Sequence, residues 1–409
     1  MQIYLDHSAT TPPRPEAIAV MQHALETDWG NPSSLHDWGR QAATVLETAR
    51  FQVAGLLNAP PESIAFTSGG TESNNWVFAG VAATAERVDL PHAIVSQVEH
   101  SAVSKPATML EKSGWRVTRL PVNAAGRIDP ETLAAAIDPE TIFISIIYGQ
   151  SEVGTLQPIA ELGAIARRAG VLFHTDAVQV AGRVPIDVTE LPVDFLSLSS
   201  HKLYGPKGAG ALYRRPGSAL APLLLGGGQE SGARSGTEAV PNIAGFGVAA
   251  ELAAAELETE SARLRALRDR LFDRLAHRTE LRPTGDRVHR LPHHVSFVLQ
   301  DEASIEAGIS GRTLVKQLDL AGIAASSGSA CNSGTLSPSG VLTAMGVDER
   351  EARGALRLTL GRSTTLADVD WVAIAIGQIL DRLKGEERSM STERSRSRSI
   401  GEANSVVLG

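Results

Sequence analysis

From about residue 16 to residue 215, two spacings of apolar residues take turns along the chain. Segments with apolar positions every three or four residues are separated by short runs rich in β-branched and aromatic residues, the patterns of amphipathic helices and buried strands. The spacing predicts helices over 16–27 and 39–57. It predicts seven strands, at 64–66, 93–95, 117–120, 142–147, 171–173, 195–198 and 210–213. Strand–helix alternation implies right-handed crossovers and an α/β fold, with a mostly parallel seven-stranded sheet covered on both faces. An Ala/Glu/Leu/Arg-rich stretch over 240–277 reads as one long helix or two, bridging to a second lobe. In that lobe, strands near 294–299 and 356–360 and helices near 313–321 and 367–383 form an α+β pattern. The expected division is a large domain over 15–255 and a smaller α+β domain built from 1–14 and 256–384.

The pattern stops near residue 385. The last stretch is centred on Glu393-Arg394-Ser395-Arg396-Ser397-Arg398-Ser399, with little apolar content before Val406. Such a composition cannot bury a core, so 385–409 is expected to be a disordered tail. Its Arg/Ser run reads as solvated chain, or else as a site of nucleic-acid contact or phosphorylation.

Composition narrows the class. The 409 residues are enough for a large core in two lobes. There is no apolar run of about 18 residues, so no membrane span is expected. The N-terminus lacks the basic-then-apolar order of a secretory signal. A single cysteine fits a reducing compartment, so a cytoplasmic location is expected. With 38 basic and 46 acidic residues the net charge is -8, which argues against direct nucleic-acid binding by the body of the protein.

That cysteine, Cys331, lies in Ser326-Ser327-Gly328-Ser329-Ala330-Cys331-Asn332-Ser333-Gly334, where Ala330 is its only apolar neighbour. An inert cysteine usually packs as a small hydrophobe. On a Gly/Ser loop the thiol is either a nucleophile that travels between a site and a partner, or an incidental surface group.

Three further segments end strands in polar residues. Ile64 to Ser73 runs from a strand through Gly69-Gly70 into a helix start. Glycines and free N–H groups there suit a phosphate; a plain turn capped by Ser68 or Thr71 fits equally. In Val171 to Gln179 an apolar strand meets Asp176, placed either to pair with a buried cation outside the strand end or to cap a helix. In Asp194 to Gly208 a strand ends at Ser199-Ser200-His201-Lys202, with Lys202 either buried for chemistry or solvated. Jointly the three suit pyridoxal 5'-phosphate, which needs a lysine for its Schiff base, an acid against its ring nitrogen and a phosphate cradle. Lys202, Asp176 and the turn at Gly70 and Thr71 supply one each.

With these segments in order, the sequence resembles the cysteine desulfurases of the NifS/IscS type, class V aminotransferase-like enzymes of the fold-type I pyridoxal-phosphate group. The resemblance runs from Tyr4-Leu5-Asp6-His7-Ser8-Ala9-Thr10-Thr11-Pro12 to about Leu383. It also rests on Gly30-Asn31-Pro32-Ser33-Ser34, Val98-Glu99-His100, Arg234-Ser235-Gly236-Thr237, Ser326 to Cys331 and Arg357.

The resemblance implies that Lys202 holds the cofactor and then moves protons, and that His100 stacks on the ring and acts as acid or base. Asp176 keeps the ring nitrogen protonated, and Gln179 bonds the ring hydroxyl. Gly70, Thr71, Ser199 and His201 bind the phosphate, with Thr237 reaching in from the second subunit of a homodimer. Arg357 holds the substrate carboxylate. L-Cysteine becomes L-alanine, and its sulfur passes to Cys331 as a persulfide and on to a sulfur-acceptor protein. No residue is assigned to a metal. The alternatives are a selenocysteine lyase or other lyase using the same cofactor, or a scaffold that has lost turnover. One departure stands out: Gln150 and Ser151 replace the two asparagines usual before Glu-Val-Gly, and Ser151 stands where an asparagine normally meets cofactor and substrate.

Overall fold

The computed structural model describes residues 2–85, 90–301, 309–328 and 338–384. Cys331 and the expected tail at 385–409 lie outside the described residues.

The first strand, β1 (Ile3–Tyr4), and the helices α1 (Pro15–Glu26) and α2 (Asp37–Leu56) lead into the main sheet. Its strands are β2 (Ile64–Thr67), β3 (His92–Ser96), β4 (Arg116–Leu120), β5 (Thr141–Ile147), β6 (Leu172–Asp176), β7 (Phe195–Ser199) and β8 (Gly210–Arg214). The spatial order is β2-β8-β7-β6-β5-β3-β4. All pairs are parallel except those made by β8, which runs antiparallel to both β2 and β7. The seven expected strands are therefore the seven observed.

Neighbouring residues of one strand feed opposite cores, because side chains alternate across a sheet. On β5, Ile144 and Ile146 join a cluster with Phe173, Leu196 and Leu198 that α2 closes through Leu46, Val53 and Leu56. Phe143 joins the other face with Phe195, Leu212 and the Trp76-Val77-Phe78 run of α3 (Gly70–Thr84). There Phe143 meets Phe78 edge-on with ring centroids 5.0 Å apart.

β6 is longer than the apolar pattern predicts, running on through His174 and Thr175 to Asp176. Its polar residues are satisfied across the ladder. His174 bonds Ser145 Oγ at 2.8 Å and Ser197 Oγ at 2.9 Å, while Thr175 donates to the Ile146 carbonyl at 2.8 Å. A buried polar group costs little once partnered, so the strand continues where a hydrophobic run ends.

The 240–277 stretch is one helix, Val240–Leu275. Ile243 to Ala253 pack into the first core and Leu264 to Leu275 into a second one. The second core lies under a three-stranded antiparallel sheet of Leu281–Pro283, His294–Leu299 and Leu356–Thr359, and under the helix over 366–384. Ile3 and Leu5 are buried in it, because β1 pairs in parallel with Ile323–Ala324. The chain start thus belongs with residues more than 300 positions away, and then crosses back over the end of β7.

Candidate active site

The carboxyl ends of β5, β6 and β7 open into a cavity of about 400 Å³. In an open α/β sheet this is where ligands settle. Its lining includes Gly70, Thr71, His100, Ser151, Asp176, Gln179, Ser199, His201 and Lys202. Two residues expected at the site are elsewhere. Thr237 is exposed and outside the cavity, and Arg357 lies behind Ser151.

Lys202 follows β7 in a short 3-10 turn, Ser200–Lys202. The first crossing of the chain holds it: Nζ donates to the carbonyls of Ser8 at 2.5 Å and Ala9 at 2.8 Å. Thr11 fastens the same turn, donating from Oγ1 to the His201 carbonyl and accepting from Tyr204 N–H. Burial pulls the Lys202 pKa down to about 8, and the charges of Arg357 and Arg183 pull the same way against Asp6 and Asp176. The amine is thereby brought within reach of its neutral, nucleophilic form near physiological pH.

Asp176 ends β6, buried at the cavity floor. Oδ1 accepts from Val178 N–H at 3.0 Å and Oδ2 from the Asn74 side chain at 2.7 Å. Asn74 went unremarked in the sequence. The signal was its place one helical turn after Gly70, on the buried face with Ser73 and Val77. Lys207 also lines the cavity and was not singled out in the sequence. Burial, with Lys202 and Lys207 close by, holds His201 neutral by pushing its pKa down to about 4. His100 caps the helix Ser101–Lys112, its Nδ1 accepting from Ala102 N–H at 3.1 Å, which leaves Nε2 to carry the proton of the neutral ring.

The glycine turn is not the plain capped turn that the sequence allowed. The cap position is Gly69, at φ 150°, and no side chain caps the helix. Glu72 instead accepts from Ser68 N–H and is paired with Arg234. At Gly70 a Cβ would stand 2.5 Å from Val178 Cγ2, so only glycine lets the turn lie this close to the strand ends.

Gln150 and Ser151 are placed differently. Gln150 is buried; its amide donates to the Val98 carbonyl at 3.1 Å and its oxygen accepts from the N–H groups of Glu152 and Val153. Ser151 lines the cavity, while its carbonyl accepts from Arg357 Nη1 at 3.1 Å and bonds His294 Nε2 at 3.0 Å.

These residues fit pyridoxal phosphate. Uncapped helix N–H groups beside Thr71, Ser199 and His201 suit its phosphate, and Asp176 suits its ring nitrogen. The buried side-chain oxygen of Gln179 has no partner, although its amide nitrogen donates to the Ser8 carbonyl, so an acceptor stands ready for a ring hydroxyl. Lys202 completes the set.

Residues 3–372 match the aminotransferase class-V family. A protein of Dictyoglomus turgidum named cysteine desulfurase IscS is 44% identical over 384 residues, covering 94% of this chain and 95% of that one. This chain belongs to the cysteine desulfurases of the class-V aminotransferase family. Solved members of the desulfurase fold superpose closely. A NifS-like protein does so with TM-score 0.86 at 36% identity, over 93% of this chain and all of that one. SspA in complex with cysteine gives TM-score 0.77 at 35% identity, over 88% of this chain and 99% of that one. The desulfurase family uses pyridoxal phosphate, in keeping with the fit of this cavity.

Proposed function

We propose that this desulfurase converts L-cysteine to L-alanine and carries the released sulfur as a persulfide on Cys331. The observation that carries the reading is the union, in one cavity, of a lysine held near its neutral form, a buried carboxylate and an uncapped glycine turn. The SspA structure, solved with cysteine, supports the substrate.

Bound pyridoxal phosphate supplies an electron sink for charge that develops at the substrate α-carbon. Asp176, kept in place by Asn74 and Val178, holds a proton at the ring nitrogen. Lys202 Nζ takes the α-proton and returns it. His100 carries a proton at Nε2 over the same cavity. Arg357, set behind Ser151 while it pairs with Asp6, takes up the substrate carboxylate through charge-assisted hydrogen bonds when the substrate is bound. The Cys331 thiolate attacks the substrate sulfur: an S–S bond forms, the C–S bond breaks, and alanine leaves.

A homodimer is proposed as well. Its support is Thr237, which stands exposed outside its own cavity on a segment tied to α3 by Arg234 and Glu72. The persulfide then serves a sulfur-acceptor protein. Among the described residues no helix is long and apolar enough to cross a membrane.

The test is alanine formation from L-cysteine, with mass spectrometry of Cys331, in the parent and in Cys331→Ser. Alanine and a persulfide, both lost in the variant, support the desulfurase. Alanine release that persists in the variant makes the protein a lyase with a dispensable thiol.

A further inference from the structure

Arg357 spends its guanidinium away from the cavity. Nη2 donates to Asp6 Oδ1 at 2.8 Å. Nη1 donates to the Ser151 carbonyl at 3.1 Å and reaches the Gly328 carbonyl at 3.5 Å. Nε is buried without a partner. Ser151 lines the cavity and Arg357 does not, so the guanidinium sits one residue behind the wall, with Asp6 as its counter-charge. The Arg357 side chain is 4% exposed and that of Asp6 22%.

Asp6 is itself fixed. Its carbonyl accepts from Tyr4 Oη at 3.1 Å and from Ala9 N–H at 3.0 Å, and its backbone bridges to Thr359, two residues past Arg357. The same stretch supplies the Ser8 and Ala9 carbonyls that hold Lys202. The partner of the guanidinium and the anchor of the reactive amine thus belong to one short stretch of chain.

We propose that Asp6 is a specificity-determining positioning residue, whose carboxylate holds the place of the substrate carboxylate on Arg357 until the substrate takes the guanidinium from it. The proposal rests on the reading of Arg357 given above. A guanidinium has five donors, and here Nη1 is committed to carbonyls. What remains for a ligand is Nε–H and the Nη2 side that Asp6 shares. A buried cation left unpaired is costly, so Asp6 keeps Arg357 stable in the free enzyme. An arriving carboxylate brings a second negative charge beside Asp6, which lowers affinity and turns away anions that make no other contact in the cavity.

The experiment is calorimetric binding of 3-mercaptopropionate to the cofactor-loaded full chain. This probe has the carboxylate and thiol of cysteine but no amine; its methyl ester serves as the uncharged control. Asp6→Asn is expected to bind the acid about 5-fold more tightly, the scale of one partly exposed charge pair, with the ester unchanged. Asp6→Ser, a smaller neutral side chain, is expected to move the same way. Acid binding that is unchanged or weaker in both variants overturns the proposal and makes Asp6 an orienting partner of Arg357. Arg357→Leu separates the two readings: with Asp6 left in place, it is expected to weaken binding of the acid and to leave the ester unchanged. If Arg357→Leu binds the acid as the parent does, the carboxylate role of Arg357 falls, and the exchange with it.

Discussion

Asn74 donates its side-chain N–H to Asp176 Oδ2 at 2.7 Å and leaves its own oxygen buried without a partner. A carboxylate at a strand end is thereby tied to the helix whose first turn is the glycine cradle. The two halves of the proposed cofactor site, ring end and phosphate end, are held by one rigid element, α3.

Asn74→Ala should therefore loosen the cofactor without touching it. Removing the donor leaves Asp176 Oδ2 buried and short of a partner, at a cost of about 1–3 kcal/mol. Titration of the apoprotein with pyridoxal phosphate should show affinity weakened by about tenfold or more. Asn74→Asp should be worse, since it sets a second carboxylate against Asp176.

Gly70→Ala tests the cradle. The new methyl would lie 2.5 Å from Val178 Cγ2 and 3.6 Å from Ser199 Cβ. Overpacking of this kind costs about 1–3 kcal/mol. The expected result is a lower melting temperature together with weaker cofactor binding; parent-like values for both would mean that the turn moves freely.

Lys202 should titrate early in the apoprotein. Its ammonium pKa is lowered to about 8 by burial and by the charges of Arg357 and Arg183, so the amine is neutral above that pH and not only above 10.5. Modification of Lys202 by an amine-directed reagent should rise as pH rises through about 8. Arg183→Gln removes one of the positive charges and should move the midpoint to higher pH.

Glu99 makes a stability prediction. Burial, with Asp176 nearby, raises its pKa from 4.5 to about 8, against donors from Ser96 Oγ and Ile147 N–H. Across that window the folded chain keeps a proton that the unfolded chain has lost. The associated stability is complete below about pH 4.5 and drains away as pH rises through about 8. Glu99→Gln mimics the protonated acid, so melting temperature against pH should be flatter in the variant, and its advantage over the parent should grow with pH.

The sheet was legible along the chain because its strands carry short apolar runs, and β5 shows why: Phe143 and Ile144 enter different cores. Strands of two or three residues, such as Ile3–Tyr4 and Leu281–Pro283, are too short for any period to register. Asp176, Lys202 and the glycine turn announced themselves as polar interruptions at strand ends, where the topology opens a crevice. Asn74 did not, because its one mark, a place one helical turn after Gly70, carries no chemistry until β6 lies beside it.

The sequence by itself determined the alternation of elements and the family, and it supplied the proposed reactive groups, because these depend on local periodicity and on residue types in order. Tertiary structure alone decided how those groups are set. It placed Gln150 as a buried loop fastener and Ser151 at the cavity, kept Thr237 outside, and gave Arg357 to Asp6. Each of these is a contact between segments far apart in the chain. Asp6 and Arg357 are separated by 351 positions. A long-range pair of this kind forms only when two cores dock and water is excluded between them, so no window of the sequence contains it.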